Sequence, residues 1–406
     1  MMIATVCAAL FAAVLNVKNH DVSASEIGNA LDLRNRLKDI GRSGRTVYAW
    51  STSAGNWNEK GWNSFRNATG HEPLLYFAEF RDIGGTWYSR EQYERNRAGF
   101  AETVKRNWRE RRAVPMVTWH IQNPYVPEKW NDPNYGGNCG MRYRFGCKGY
   151  PAEHHNVLRE IVEGKGTTCG FGRMDGRNER TFANPRAWFE WCLKDVAAFC
   201  RTLKDDEERQ IPIVWRPFHE MDGSWFWWGR GHAEPKDVAA AFRLFADIMR
   251  QELGRENVLM CYSPDRTWTG LGKIGERGFL TWYPGNDYAD LIGWDDYGIG
   301  AGNTESERQA NALKTLGRMR EITKFAIDND KVCGIWESGN RMFGPKDVDR
   351  PGFYHTLRAL ATAPGVAFSV MTTYDGPCTF PNSEMGKREM AEFLASPDVV
   401  VDDWNR

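Results

Sequence analysis

The 406-residue sequence has no excess of either charge, with 53 Lys and Arg against 53 Asp and Glu. A nucleic-acid binder carries a basic stripe to meet phosphate, and a surface built for anionic lipid needs the same, so neither class has support. Beyond the amino-terminal stretch no apolar run approaches the length that spans a bilayer, so no membrane span is expected. None of the nine cysteines forms a C-x-x-C pair, which removes the common zinc and thiol-redox spacing. H-E-x-x-H, G-x-S-x-G and P-loop patterns are absent, and metalloprotease, serine hydrolase and NTPase readings go with them. Gly298-Ile299-Gly300-Ala301-Gly302 lacks the third glycine of a dinucleotide fingerprint at the right offset. No internal repeat, low-complexity run or Pro/Ser/Gly-rich linker divides the chain.

Tryptophan, by contrast, is abundant, at 18 residues. Such an excess means an unusually aromatic core or flat exposed platforms. Flat aromatic faces suit sugar rings, whose axial C–H groups present an apolar side. Trp188 and Trp191 fall at helical spacing and read as core, as do Trp227 and Trp228. Met1–Leu15 is almost wholly apolar, and Val22-Ser23-Ala24 fits a small-residue cleavage site. Residues 1–24 therefore read as an export signal, and 25–406 as one catalytic domain of a secreted or periplasmic protein. Cys139 and Cys147 flank a Gly-containing loop that a disulfide could close; the other cysteines read as small buried hydrophobes. His154-His155, at a helix opening, reads as solvent-facing.

After residue 40 short apolar strands alternate with amphipathic helices. Strands are expected at Thr46–Trp50, Pro73–Phe80, Val114–His120, Ile211–His219, Val258–Ser263, Asp290–Tyr297, Val332–Glu337 and Val366–Tyr374. Helices are expected at Ser89–Arg112, Pro185–Leu203, Lys236–Leu253, Glu305–Asp328, Gly352–Ala363 and Glu384–Ala395. Alternating β and α units demand parallel pairing, and eight strands in one continuous pattern imply an α/β fold of the (β/α)8, or TIM-barrel, type. Its active site lies at the carboxyl ends of the strands.

The polar residues ending the strands therefore matter most. The fourth strand ends in Arg216-Pro217-Phe218-His219-Glu220, followed by Met221-Asp222-Gly223-Ser224-Trp225-Phe226-Trp227-Trp228-Gly229. Glu337 ends the seventh, across the barrel mouth; Trp119-His120 ends the third, and Asp295 and Tyr297 the sixth. Two glutamates facing each other across a cleft can cleave a glycosidic bond. One gives its proton to the leaving oxygen while the other, ionised, attacks the anomeric carbon. Arg216 favours the ionised form of its neighbour, so Glu220 is expected to titrate high and Glu337 low.

The fourth-strand block resembles glycoside hydrolase family 26, most of whose members are endo-β-1,4-mannanases. Trp119-His120, Tyr262-Ser263-Pro264, Trp282-Tyr283-Pro284-Gly285 and the stretch from Asp290 to Gly298 extend the resemblance over about residues 45–395. The resemblance implies a retaining mechanism with Glu220 as acid/base and Glu337 as nucleophile. It also implies a sugar contact from His219 and a glycone-side subsite lined by His120 and Trp225 with Asp295 close behind, while Arg216 and Tyr297 bound the nucleophile. Trp282 is a further candidate platform, and Tyr374 stands where the eighth strand often offers a tryptophan. Asp222 departs from the usual Asn, and Trp336 precedes the nucleophile where Thr or Ser is common. No metal or organic cofactor is implied. The partner would be a β-linked polysaccharide or oligosaccharide, taken by a monomer. Mixed β-1,3-1,4-glucan and β-1,3-xylan are alternative substrates, and a non-catalytic carbohydrate-binding barrel is the alternative from another class.

Overall fold

The computed structural model describes residues 27–51, 65–84, 89–126, 140–172, 178–266, 271, 278–340, 349–363, 370–374 and 380–405. The segment 1–24, read as an export signal, and Cys139 of the suggested clip lie outside the described residues.

Eight parallel strands close a barrel: β1 (Thr46–Ser51), β2 (Leu75–Glu79), β3 (Val114–Thr118), β6 (Ile213–Arg216), β7 (Val258–Tyr262), β8 (Leu291–Asp295), β9 (Val332–Glu337) and β10 (Val370–Tyr374). They pair in that order, and β10 returns to β1 in a register running from Val47 opposite Val370 to Ser51 opposite Tyr374. The segment between β3 and β6 carries a hairpin of its own, β4 (Cys169–Gly172) with β5 (Asn178–Phe182), and the short β11 (Val399–Val400) pairs with the start of β1. The strands β2, β3, β6, β7 and β8 are buried along their whole length, which is why they read as near-continuous apolar runs.

Helices return the chain between strands: α1 (Ala30–Arg42), α2 (Arg90–Arg111), α3 (Val157–Glu163), α4 (Pro185–Cys200), α5 (Pro235–Leu253), α6 (Glu305–Asp328), α7 (Phe353–Ala361) and α8 (Glu384–Ala395). Their starts are written locally. The Thr304 side chain accepts the Glu307 N–H while Glu307 reaches back, a capping box that opens α6. Asn184 caps α4 ahead of Pro185, whose missing N–H costs nothing at a first helical position.

The tryptophan excess is mainly structural. Trp50, Trp108, Trp188, Trp215, Trp294 and Trp404 are fully buried in one core. Trp215 packs edge-on against Phe245 of α5 and against Phe80, so it faces outward from the barrel. Side chains alternate along a strand, which turns its neighbour Arg216 inward. His154 differs from expectation: it is buried, stacked on Tyr125 at 3.8 Å, with Nδ1 2.8 Å from Glu160 Oε1. An apolar ring partner and a carboxylate for its polar edge outweigh solvent.

Candidate active site

Arg216 ends β6 and reaches two carboxylates across the barrel mouth. Its Nη1 lies 2.5 Å from Glu337 Oε1, at the end of β9, and its Nη2 donates to Asp295, at the end of β8. Nη2 also donates to Ser263 Oγ at 3.0 Å, and the guanidinium sits over the Phe77 ring of β2. Burial works against the charge on Arg216, but Asp295 and Glu337 outweigh it and the guanidinium stays charged. The second oxygen of Glu337 accepts the Tyr297 hydroxyl at 2.5 Å. Burial, then Glu337, pushes the Tyr297 phenol well up, so it stays a donor.

A bulge aims the nucleophile candidate. Asp295 pairs with Glu337 and Trp294 with Ile335, which leaves Trp336 as an extra residue in β9. Trp336 packs against Phe77, three strands away around the sheet, and so lies inside the barrel. Two consecutive residues, Trp336 and Glu337, can then both turn toward the barrel axis.

Glu220 follows β6 in a tight loop. Its backbone, like that of Phe218, is in the left-handed region, at φ 53° and 50°, a conformation that non-glycine residues adopt at some cost. The loop holds it there. Glu220 N donates to Ser263 O at 2.9 Å, Gly223 N to Glu220 O at 3.0 Å, and the Trp228 indole to His219 O at 2.9 Å. Trp227 is tied by its indole to Ile121 O, so Trp227 and Trp228 are packing residues as the sequence indicated. The Trp225 indole donates to Glu220 Oε2 at 2.6 Å. Burial, then the charges of Glu337 and Asp265, push the Glu220 carboxyl up to about 8, against the pull of Arg216 and of the Trp225 donor. Glu220 is thus a protonated acid near neutrality.

Carboxylate oxygens of Glu220, Asp295 and Glu337 lie within 4.8 Å of one another. Three such groups could ligate a cation, but Arg216 already donates to two of them and places a fixed positive charge there. The geometry suits a glycosidic bond flanked by an acid and a nucleophile.

His120 and His219 complete one flank, edge to face at 4.6 Å, with Phe226 against both. Burial, Arg216 and His120 hold His219 well below the usual imidazole range, and so neutral. The sequence reading missed Glu79. It ends β2, accepts the His120 backbone N–H at 3.0 Å and also meets His120 Nδ1. Burial pushes Glu79 up, but His120 and Arg81 outweigh it, and the carboxyl is held below its ordinary range. A carboxylate ending a strand was a usable signal, but Glu79 stands among ordinary strand residues with no motif around it.

His120, Arg216, His219, Trp225, Asp295 and Tyr297 therefore gather around Glu220 and Glu337. Trp282 does not join them as a platform: it is 4% exposed and packed in the core, because the Trp282-Tyr283 turn folds onto β7. Tyr374 ends β10, but its side chain lies outside the described residues.

A closed parallel barrel with a buried acid beside a second glutamate at its carboxyl-end mouth is an arrangement that (β/α)8 glycoside hydrolases use. The model of glycosyl hydrolase family 26 matches residues 187–333, from α4 into β9. A mannan endo-1,4-β-mannosidase of Bifidobacterium adolescentis is 31% identical over 183 residues, covering 43% of this chain and 18% of that protein. One from Bacillus subtilis is 26% identical over 243 residues, covering 58% and 53%. These matches span about a fifth to a half of the curated relatives' own length. GH26C from Muricauda sp. MAR_2010_75 shares the fold, with a TM-score of 0.69 at 19% identity over 95% of this chain and 96% of that one.

Proposed function

We propose that the protein is a retaining glycoside hydrolase that cuts β-1,4 bonds between mannose units in mannan, glucomannan or galactomannan. The observation that carries this reading is the separation of Glu220 and Glu337, whose oxygens come within 4.8 Å. Retaining pairs stand about 5–5.5 Å apart, whereas inverting pairs stand about 6.5–9.5 Å apart to admit a water between them. The sugar follows from the relatives, two of which are named mannan endo-1,4-β-mannosidases.

In the first step the Glu337 carboxylate attacks the anomeric carbon while Glu220 gives its proton to the departing glycosidic oxygen. The C–O bond to the leaving sugar breaks and a glycosyl ester forms on Glu337. In the second step the Glu220 carboxylate takes a proton from water, whose oxygen attacks the same carbon and frees Glu337. Arg216 and Tyr297 orient Glu337 for attack. His120, His219 and Trp225 line the flank where the glycone sugar rests. The net-neutral chain suits an uncharged polymer.

A polymer of this size is met outside the cytoplasm. Segment 1–24, with its apolar run Met1–Leu15, serves as the export signal on this reading, 25–406 is one catalytic domain, and the protein acts as a monomer. Amino-terminal sequencing of the exported protein, expected to begin at Ser25, checks the first point.

The test is reducing-end release from mannan, galactomannan and mannooligosaccharides, beside mixed-linkage glucan and β-1,3-xylan. Turnover on the mannans, abolished in Glu337→Ala, supports the reading. Release from glucan or xylan alone transfers the mechanism to another sugar. Sugar binding without cleavage in the wild type replaces the enzyme with a binding barrel.

A further inference from the structure

Arg350 stands between β9 and α7, outside every motif the sequence offered, and it reaches back toward the nucleophile. Its Nη1 donates to Tyr297 O at 2.7 Å and to Ile299 O at 2.9 Å, both in the loop after β8. The same nitrogen lies 3.3 Å from Gly339 O, just past Glu337. One guanidinium nitrogen thus gathers carbonyls from the two loops beside the nucleophile. A charged donor suits that place, because its hydrogen bonds are stronger than neutral ones.

Arg350 is itself held from the other side. Its backbone N–H donates to Asn340 Oδ1 at 2.9 Å, and Asn340 Nδ2 donates to Asp349 Oδ1 at 3.3 Å. Asp349 is buried, and its Oδ2 accepts from Asn382 N at 2.9 Å and Ser383 N at 2.7 Å, where α8 begins. Gly352 N donates to both carboxylate oxygens of Glu389, on α8, at 3.0 Å. Residues 349–352 are therefore anchored on α8. The loop after β8 leans on this anchor a second time at Gly300, where a Cβ would stand 3.4 Å from Phe353 Cα.

The loop so gripped carries a residue that holds the nucleophile. Asp296 N donates to Glu337 O at 2.8 Å, which fixes the start of the loop. The next residue is Tyr297, whose hydroxyl donates to Glu337 Oε2 at 2.5 Å. A tyrosine is long, so a small tilt of its backbone swings the hydroxyl out of hydrogen-bond reach.

We propose that Arg350 is a positioning residue for the nucleophile: its bonds to the Tyr297 and Ile299 carbonyls keep the Tyr297 hydroxyl on Glu337. This rests on reading Glu337 as the nucleophile. Arg216 holds one oxygen of that carboxylate and Tyr297 the other, which fixes its plane. Without the second hold the carboxylate can turn about its last bond and lose its line to the anomeric carbon.

The experiment reads Tyr297 first without substrate and then in turnover. In protein carrying 13Cζ-labelled tyrosine, the Tyr297 signal is assigned by its loss in Tyr297→Phe. Glu337→Ala marks where that signal falls once the acceptor is gone. Arg350→Met should move it most of the way there. Arg350→Gln, shorter and neutral, should do the same and stands in if Arg350→Met does not fold. In either variant kcat/KM on mannooligosaccharides should fall roughly 10- to 100-fold with KM little changed, the scale of an active-site group misplaced by about an ångström. In a Tyr297→Phe background the same change should cost no more than about twofold, because the hydroxyl it served is absent. An unmoved Tyr297 signal overturns the proposal. So does a full second loss in the Tyr297→Phe background, which would mean that Arg350 supports the fold and not Tyr297. Failure of the hydrolase reading looks different: the wild type would leave every polysaccharide uncut, while the Tyr297 signal still answered to the change at Arg350.

Discussion

The indole nitrogen of Trp225 hydrogen-bonds Oε2 of Glu220 at 2.6 Å. One residue thus offers an aromatic face and, by its edge, a donor to the acid. The two roles separate by substitution. Trp225→Phe keeps an aromatic ring and removes the donor. A donor to a carboxyl favours its charged form, so its loss should raise Glu220 further and move the alkaline limb of kcat/KM upward. KM should change little. Trp225→Ala removes both, and KM for mannooligosaccharides should rise roughly 10-fold or more, the scale of one lost aromatic contact. Steady-state kinetics across pH checks this; equal KM in the two variants would mean that the ring is no platform.

Keeping Glu220 protonated has a thermodynamic signature. An exposed glutamate titrates near 4.5 and Glu220 near 8 in the folded protein. Between those values the unfolded chain has lost the proton and the native one keeps it, so the native state binds more protons and stability falls as pH rises. Below about 4.5 the contribution is fully present; above about 8 it is gone. Glu220→Gln is neutral throughout. It should match wild type near pH 4.5 and exceed it by about 2–4 kcal/mol near pH 8. Urea unfolding at both pH values measures the difference, and a gain that does not depend on pH would contradict the assignment. The stabilised variant should have lost hydrolysis of natural substrates, a direct trade of stability for chemistry.

Glu79 supports His120 from behind. With Nδ1 engaged by the Glu79 carboxylate, the other ring nitrogen is left for the cleft. Glu79→Gln replaces one carboxylate oxygen with an amide NH2 and no longer dictates the tautomer. Hydrogen bonds to charged groups are worth about 1.5–3 kcal/mol, so kcat/KM should fall roughly 10- to 100-fold with little change in melting temperature. A variant that melts early but retains its kcat/KM when folded would make Glu79 a packing residue.

Where chemistry is local in sequence, it was legible. The eight barrel strands are those expected, because each is a buried apolar run bounded by turn residues. Glu305–Asp328 and Glu384–Ala395 were bounded correctly by their caps. The β4–β5 hairpin was not seen: CGFG and NERTF carry no alternation that marks a strand. Glu220, His219 and Trp225 stand within one block, and Glu337 ends a strand. Glu79 and His120 are 41 residues apart and meet only because β2 and β3 are neighbours in the barrel. Trp282 fails as a platform for a related reason: a tryptophan near a strand end can turn toward the cleft or the core, and spacing does not choose. The bulge at Trp336 is equally invisible, since it is a relation between β8 and β9 and not a property of either.

Gly223 provides the last and most stringent check on Trp225. A Cβ at Gly223 would lie 2.3 Å from two atoms of the Trp225 ring, well inside contact distance. The indole cannot yield by a small rotation without loosening its bond to Glu220. Gly223→Ala should therefore displace the ring, raising KM as Trp225→Ala does and shifting the alkaline limb as Trp225→Phe does. The decisive comparison is the double variant. If the new methyl acts only by moving Trp225, Gly223→Ala should cost little once the ring is gone, and Gly223→Ala/Trp225→Ala should match Trp225→Ala alone within about 0.5 kcal/mol in kcat/KM. Additive losses would mean instead that Gly223 serves the loop backbone, where Gly223 O accepts from Arg230 N at 2.8 Å. Trp225 would then owe its place to some other contact.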